Sequence, residues 1–187
     1  MAFPRVRILE KADVEAIDEA TRALLENSGL DVHSPLARKA LEAAGAHVVD
    51  DGPRVRIPEA VLRECLEKAP HEILLASRNG KHDLRVPDGH TYVATDGCGV
   101  NVLDFETGER RESTTKDLAD LTRVGDALEP LDYQWPMCVA GDVPGEIHDL
   151  VEAATALENT TKHIQHEALT AQEADTMVSM AAAIRSE

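Results

Sequence analysis

From residue 113 to residue 187 the sequence alternates between helix-like and strand-like segments, and this alternation restricts the fold more than any other feature. Amphipathic helical spacing is present at 113–128, 142–159 and 170–187, and the short runs 131–140 and 161–169 separate these helices. Strands that alternate with helices of about 15 residues predict parallel βαβ units. A parallel sheet is normally buried on both faces, and a complete TIM barrel takes about 250 residues. We therefore expect the first βα units of an incomplete TIM barrel, and a chain that is the N-terminal segment of a longer protein.

Residues 1–112 follow a different pattern, in which helices precede a run of short strands. Helical spacing is present at 13–28, 34–44 and 58–69, whereas a period of two dominates from 72 to 112. Turn residues divide this last run, which predicts a meander of antiparallel hairpins. The expected fold is thus α/β, with an N-terminal α+β region up to residue 112 and the truncated barrel domain from 113 to 187.

Charge and composition exclude several classes of function. The net charge is -16 and the pI is about 4.8, which argues against nucleic-acid binding because phosphate contacts need clustered Lys and Arg. No apolar run approaches the roughly 20 residues of a membrane span, and residues 1–17 lack the apolar core of a signal peptide. The 3 cysteines are widely spaced and form no C-x-x-C pair. We expect a cytoplasmic protein without structural disulfides.

Residues 162–167 collect hydrogen-bonding and proton-handling groups on a predicted strand that runs into a helix. The reacting groups of TIM barrels lie at the C-terminal ends of strands and in the loops that follow. Strand alternation places His163 and Gln165 on one face, and Lys162 and His166 on the other. If the first face points into the barrel, His163 and Gln165 are candidate substrate-binding residues. The alternative is that these groups satisfy buried backbone atoms, or that Lys162 pairs with a buried carboxylate.

The same alternation argues against a metal centre on this strand. His163 and His166 should point to opposite faces, and no carboxylate or Cys stands at ligand spacing from them. We therefore expect no metal site. The sequence assigns no catalytic residue.

Aromatic residues are rare in this chain, and two of them share a face of the predicted strand 131–140. Tyr133, Trp135 and Met137 alternate with Cys138 on the opposite face. A quaternary ammonium has no N–H to donate, so proteins recognise it through aromatic faces and carboxylates. Trp135 is the candidate wall of such a pocket, and packing within the fold is the alternative. Cys138 should be buried and unreactive.

The segment 95–101 is the remaining candidate, because glycines flank Cys98 on both sides. Gly97 and Gly99 allow a tight loop that exposes its backbone to a ligand or a partner. No Lys follows and no helix starts there, so a phosphate-binding loop is not indicated. A plain hairpin turn is the alternative. Cys65, on the apolar face of the helix at 58–69, should be a core residue.

Several segments taken together resemble one known family. Residues 54–70, 101–132, 142–150 and 157–175 resemble, in this order, the start of the trimethylamine and betaine methyltransferases that work with a corrinoid protein. The resemblance implies a TIM-barrel enzyme that moves a methyl group from a methylated amine to the cobalt of a cobalamin carried on a separate protein. The resemblance implies no directly bound cofactor. It also favours a position of the loop with Gly97 and Gly99 at the active-site cleft.

Two other functions stay open at this point. One is a different TIM-barrel activity, such as a metal-assisted lyase or hydrolase with His163 or His166 as a ligand. The other is a noncatalytic binding or assembly module whose helical part docks a partner.

The unfinished barrel has two further consequences. Its open sheet edge should promote association into a homo-oligomer. This segment alone should be inactive as a methyltransferase.

Overall fold

The computed structural model describes residues 8–185, and these residues divide between His71 and Glu72 into two compact units. The first unit contains helices α1, α2 and α3, a single π-helical turn and strands β1, β2 and β3. Their bounds are Lys11–Ala23, Pro35–Ala43 and Glu59–Lys68 for the helices, Leu24–Ser28 for the turn, and Leu30–Asp31, His47–Val48 and Arg54–Arg56 for the strands.

The first unit is organised around Val55, which is fully buried at the centre of a small antiparallel sheet. The sheet has the order β1-β3-β2, and Val55 pairs with Leu30 on one side and Val48 on the other. Gly29 enters this sheet with a φ of 71°, and a Cβ there would lie 2.2 Å from the Val55 carbonyl oxygen. Only glycine fits this close approach, so the predicted helix stop at residue 29 is confirmed with a physical reason.

Local helix signals in the first unit are also confirmed. The Ser34 hydroxyl accepts a hydrogen bond from the Ala37 amide, and Pro35 occupies the first helical position of α2. Helix α3 follows Pro58 as predicted. The prediction for Cys65 was wrong, because this residue is exposed on α3 in the described structure. An apolar helix face predicts burial only where another element packs on that face.

The second unit contains six strands and three helices. In chain order they are β4 Ile73–Leu75, β5 Leu84–Val86, β6 Asn101–Leu103, β7 Arg110–Glu112, α4 Thr115–Ala127, β8 Tyr133–Gln134, α5 His148–Asn159, β9 His163–Ile164 and α6 Ala171–Arg185. β4 pairs with β5 and β6 pairs with β7, both antiparallel, which confirms the hairpins predicted before residue 113.

β8 and β9 pair in parallel, as the βα pattern predicts. A third segment joins them on the other edge of β8, since Ala94 bridges Tyr133 and Gly99 bridges Cys138, both in parallel. The expectation that residues 90–99 belong to an antiparallel meander was therefore wrong. The period of two in this segment predicts a strand, but the period is the same for a strand that pairs in parallel and for one that pairs antiparallel.

Helices cover one face of this parallel group. Leu118 of α4 is fully buried, and Gly125 lets α4 approach β8 so closely that a Cβ there would lie 2.7 Å from Gln134 Oε1. Side chains of β8 and the residues after it alternate, with Gln134 and Cys138 buried and Trp135 only half-buried. The sheet therefore has a helix-covered face and an uncovered face that carries Trp135.

The spacing of Thr114 with Asp117 and of Thr170 with Glu173 predicts a cap at the start of two helices in the second unit. Both caps are confirmed, whereas one helix start differs from its prediction. Thr114 and Asp117 form a reciprocal capping box at α4, and Thr170 accepts from the Glu173 amide before α6. Helix α5 begins at His148, whereas the sequence predicted a start near Pro144. His148 and Asp149 consequently lie in the first turn of α5 and not in its second turn.

Among residues 8–185 the strands form small sheets and no closed barrel. No helix in this range is long and apolar enough to cross a membrane. The domain boundary at residue 112 stays a prediction, and it falls inside the second compact unit.

Candidate functional site

The carboxyl-terminal ends of 94–99, β8 and β9 meet at one edge of the second unit, where a cavity of about 170 Å³ opens. We call it the strand-end cavity. Its wall includes Trp135, His148, Asp149, Glu152 and His166. Ligands of open parallel sheets bind outside the carboxyl ends of the strands, so this is the expected place for a site.

Trp135 reaches the cavity directly after β8, and the loop before β6 holds its backbone in place. The Trp135 amide donates to Thr95 Oγ1 at 2.8 Å, and the Thr95 hydroxyl donates to the Trp135 carbonyl oxygen at 2.7 Å. Gly97 lies against the indole, because a Cβ at Gly97 would be 2.4 Å from Trp135 Cδ1. The structure thus brings together two of the residues that the sequence singled out independently.

Gly99 lies further along the same loop and pairs with the backbone that follows Trp135. Its amide donates to the Met137 carbonyl oxygen at 3.2 Å, and the Val139 amide donates to the Gly99 carbonyl oxygen at 2.9 Å. A Cβ at Gly99 would be 2.8 Å from the Met137 oxygen. Between the two glycines Cys98 has a φ of 69° and lines the strand-end cavity. Gly99 therefore fixes the loop, and Cys98 is the loop residue that lines the cavity.

Gln165 follows β9 on the uncovered face of the sheet. Its amide donates to the Gln134 carbonyl oxygen at 2.9 Å, which continues the parallel register beyond Gln134 and Ile164. The next pair in this register is Trp135 and Gln165. Gln165 is exposed, so its side-chain carboxamide is available to a ligand on that face.

His163 lies two residues before Gln165, further from the carboxyl end of the strand. It pairs with Tyr133, and their rings are tilted with centroids 6.3 Å apart. His163 Nδ1 lies 3.0 Å from the Ala76 carbonyl oxygen, just after β4. His163 is thus held by a backbone contact in a second, larger cavity of about 600 Å³ that Ala76 and Lys162 also line. The role of His163 in substrate binding stays a prediction.

Lys162 is buried on the helix-covered face, with 4% of its surface exposed. Its ammonium donates to the Gly125 carbonyl oxygen at 2.9 Å and to the Leu128 carbonyl oxygen at 2.8 Å. Burial lowers the pKa of Lys162, although Asp126 and Asp132 act in the opposite direction. Lys162 therefore caps the C-terminal end of α4 through backbone carbonyls, where the sequence suggested an ion pair with a carboxylate.

The sequence did not identify the polar group at the start of α5. His148 and Glu152 are four residues apart, so they share one face of the helix, and Asp149 lies beside them. Glu152 is 5% exposed, and its Oε1 accepts a hydrogen bond from the Ala140 amide at 2.8 Å. His148 Nδ1 is buried and makes no hydrogen bond, since its 3.0 Å contact with Asp149 Oδ1 lacks hydrogen-bond geometry. The i, i+4 spacing of His148 and Glu152 was the available signal.

His166 completes this group from the segment that follows β9. Its Nδ1 accepts from the Glu167 amide at 2.9 Å, so the ring proton of the neutral imidazole belongs on Nε2. Nε2 lies 3.0 Å from the Asp149 carbonyl oxygen, which accepts that proton, and 3.8 Å from Glu152 Oε2. No carboxylate stands at ligand spacing from His166 in the sequence, but the βα fold brings Glu152 to it from another element.

The ligand atoms of His148, Asp149 and Glu152 all lie within 4.8 Å of one another, so this group has the spacing to hold a cation. Imidazole nitrogen and carboxylate oxygen are donors that zinc and other divalent metals accept. The same carboxylates beside the indole of Trp135 also suit an organic cation, through Coulomb attraction and a cation–π contact.

Cys138 is buried beneath this site and takes no part in it. Burial raises the pKa of its thiol to about 11, and the nearby Asp117 acts in the same direction. A thiol with this pKa is protonated at neutral pH, so Cys138 is not a nucleophile. The prediction of a buried Cys138 is confirmed, and all 3 cysteines are free in the described structure.

Comparison with known proteins gives one consistent result. The family model described as trimethylamine methyltransferase (MTTB) matches residues 1–187. Trimethylamine methyltransferase MttB of Methanosarcina thermophila is 30% identical over 165 residues, which cover 86% of this chain and 34% of that protein. MttB of Desulfitobacterium hafniense (strain DSM 10664 / DCB-2) is 29% identical over 81% of this chain and 31% of its own length. The glycine betaine methyltransferase of Desulfitobacterium hafniense (strain Y51) is 25% identical over 96% of this chain and 37% of its own length. The chain spans about a third of the length of these relatives.

Proposed function

The chain belongs to the trimethylamine methyltransferase family, and we propose that it acts within a protein of its relatives' length that transfers a methyl group from a methylated amine to the cobalt of a partner corrinoid protein. The methyl donor is trimethylamine or a quaternary amine such as a betaine, as the names of the relatives suggest. The family match over the whole chain carries this proposal. The TIM barrel, completed by sequence beyond this chain, is part of the same proposal.

The proposed methyl transfer does not require general acid–base catalysis. A reduced corrinoid on the partner supplies the nucleophile, and the carbon–nitrogen electron pair stays with the nitrogen. From a quaternary or a protonated tertiary ammonium the leaving amine is neutral, so no general acid has to deliver a proton to it. The protein's work is then to bind the cation and to align its methyl group with the attacking cobalt.

The residues at the strand ends are suited to that work. Trp135 offers an aromatic face, Gly97 lies against the indole, and Thr95 holds the Trp135 backbone. The exposed amide of Gln165 lies on the same uncovered face. We assign substrate binding to Trp135 and Gln165, with Gly97 and Gly99 as positioning residues of the loop and His163 at the rear of the same face.

A metal-assisted reaction of another kind is the second candidate. The observation that favours it is the convergence of His148, Asp149 and Glu152 within 4.8 Å. His148 is not one of the histidines that the sequence suggested as ligands. His166, which is one of them, lies 3.8 Å from Glu152. Elemental analysis of the purified full-length protein separates the two: one tightly held zinc per chain supports the metal-assisted reaction, and no stoichiometric metal supports the methyltransferase.

The direct test of methyl transfer supplies candidate methylamines and betaines to the full-length protein together with a reduced corrinoid protein. Formation of methyl-cobalt is followed by its absorbance change. A reaction without the corrinoid protein and a reaction without the amine are the matched controls.

A further inference from the structure

The wall of the strand-end cavity combines an aromatic side chain with carboxylates. Trp135 supplies the aromatic wall, and Asp149 and Glu152 supply carboxylates. The volume of about 170 Å³ is suited to a ligand of a few heavy atoms and is below the usual range for drug-sized ligands.

The carboxylates are held in the cavity by the fold. Glu152 is 5% exposed and is fixed by the Ala140 amide, so it cannot turn away into solvent. The Asp149 side chain is 17% exposed and lies 3.0 Å from His148 Nδ1. Water screens buried charges poorly, so these carboxylates act more strongly on a ligand than surface carboxylates would.

The basic side chains among the described residues of the wall are the imidazoles of His148 and His166. Glu167 adds another carboxylate, and none of the described residues that line the cavity is Lys or Arg. The hydrogen bonds of His166 are those of the neutral imidazole, since its Nδ1 accepts from the Glu167 amide. A ligand carboxylate in this cavity would therefore lie beside other carboxylates without a guanidinium or ammonium to pair with it.

We propose that the strand-end cavity binds a small organic cation with net positive charge, such as trimethylammonium, in preference to a zwitterionic betaine. The alkyl groups contact Trp135, and Asp149 and Glu152 balance the charge. This inference rests on the proposed function, because the preference of the cavity for a cation would decide which methylated amine the enzyme demethylates.

Trp135 is also the means of testing the proposal, because it is the 1 Trp in the chain and it lines the cavity. Its fluorescence in the purified chain is titrated with trimethylammonium, tetramethylammonium, glycine betaine and 3,3-dimethylbutanoate, the last an uncharged-head analogue of betaine. We expect saturable changes with the two cations, about tenfold weaker binding of betaine, and no saturable change with the analogue.

Asp149→Asn and Glu152→Gln test the carboxylates, and Glu158→Gln is the matched control on an exposed position of the same helix. Both cavity variants should weaken cation binding about tenfold, and Glu158→Gln should not change it. Circular dichroism of each variant checks the fold; Glu152→Gln keeps an acceptor for the Ala140 amide. If one cavity variant does not fold, the other still tests whether the carboxylates bind the cation.

Three results would overturn the proposal: equal affinity for betaine and tetramethylammonium, cation binding unchanged in folded Asp149→Asn, or no response to cations together with tight, stoichiometric binding of zinc. Substrate selectivity in the full-length enzyme separates this proposal from the function. Methyl transfer whose preference between trimethylamine and betaine is unchanged in Asp149→Asn contradicts the cavity assignment and leaves the function intact. Cation binding here without turnover of any methylated amine contradicts the function alone.

Discussion

Gly97 lies so close to the indole of Trp135 that a Cβ at Gly97 would be 2.4 Å from Trp135 Cδ1 and 2.6 Å from Trp135 Nε1. The loop backbone and the aromatic side chain therefore form one unit, which the paired hydrogen bonds between Thr95 and Trp135 reinforce. The position of the proposed substrate wall depends on the absence of a side chain at residue 97.

Gly97→Ala should consequently displace the indole and destabilise the protein. Overpacking of this kind costs about 1–3 kcal/mol in free energy of unfolding, and the Trp135 emission spectrum should shift because its surroundings change. Chemical denaturation and the emission spectrum of the folded protein measure the two effects. Gly145→Ala is the control, since nothing lies within 4 Å of a Cβ at Gly145. An unchanged spectrum in Gly97→Ala would show that the indole is not held by this contact.

Trp135→Ala in the full-length enzyme should raise the KM for a methylated ammonium substrate. Loss of a desolvated cation–π contact costs about 2 kcal/mol, which corresponds to roughly 30-fold in affinity. Trp135→Phe keeps an aromatic face and should lose much less. Equal KM values for Trp135→Ala and the unmodified enzyme would assign the indole to packing alone.

Gln165→Ala should weaken methyl transfer without unfolding the protein. The register places Gln165 beside Trp135 on the uncovered face, and its exposed side chain contributes little to the core. Steady-state kinetics and thermal unfolding of the same preparation separate the two effects. A stability loss of about 1–3 kcal/mol as the main result would indicate a buried partner for Gln165 and a structural role.

Lys162→Met should show the opposite behaviour, because Lys162 is buried and caps α4. Removal of the ammonium takes the side-chain donor away from the carbonyl oxygens of Gly125 and Leu128, whereas the Leu128 oxygen keeps a second donor, the Leu131 amide at 3.1 Å. An unsatisfied buried polar group costs about 1–3 kcal/mol, so the midpoint of denaturation should fall. Lys116→Met changes an exposed Lys at the other end of α4 and serves as the control. A Lys162→Met variant as stable as the unmodified chain would contradict the capping role.

Acid should weaken the start of α4 through Asp117. The Arg111 guanidinium, 2.6 Å away, holds the pKa of this carboxyl well below its usual range, and Thr114 adds hydrogen bonds in the same direction. A depressed carboxyl pKa stabilises the fold above the unfolded-state value of about 3.9, and this contribution is lost as the pH falls below it. The free energy difference between the unmodified chain and Asp117→Asn should therefore be larger at pH 7 than at pH 3. Denaturant unfolding at both pH values measures it, and a difference that does not change with pH would assign the effect to capping without the charge.

The parts of the fold that the sequence predicted are those with local causes. Ser34, Thr114 and Thr170 cap helices through contacts within three residues, so their patterns are visible in the chain. The parallel pairing of β8 and β9 follows from the alternation of strands and helices. The contact of Gly97 with Trp135 could not be predicted, although each residue was singled out by its own chemistry.

The parts that the sequence missed have tertiary causes. The segment 94–99 joins β8 in parallel, and the period of two in residues 72–112 does not specify the direction of pairing. Pro144 is typical of a first helical turn, yet α5 begins at His148. Glu152 meets His166 only because consecutive βα elements pack side by side. Cys65 has the spacing of a core residue, but in the described structure no element covers it.

Methyl-cobalt formation tests the central claim most directly. The full-length protein is incubated with a reduced corrinoid protein and, one at a time, trimethylamine, tetramethylammonium, choline and glycine betaine, and the absorbance of the corrinoid is followed. We predict methyl transfer from at least one of these amines, with rates that depend on Trp135. If no methylated amine yields methyl-cobalt with the intact protein and an active corrinoid partner, the proposed function is wrong, whatever fold the complete chain adopts.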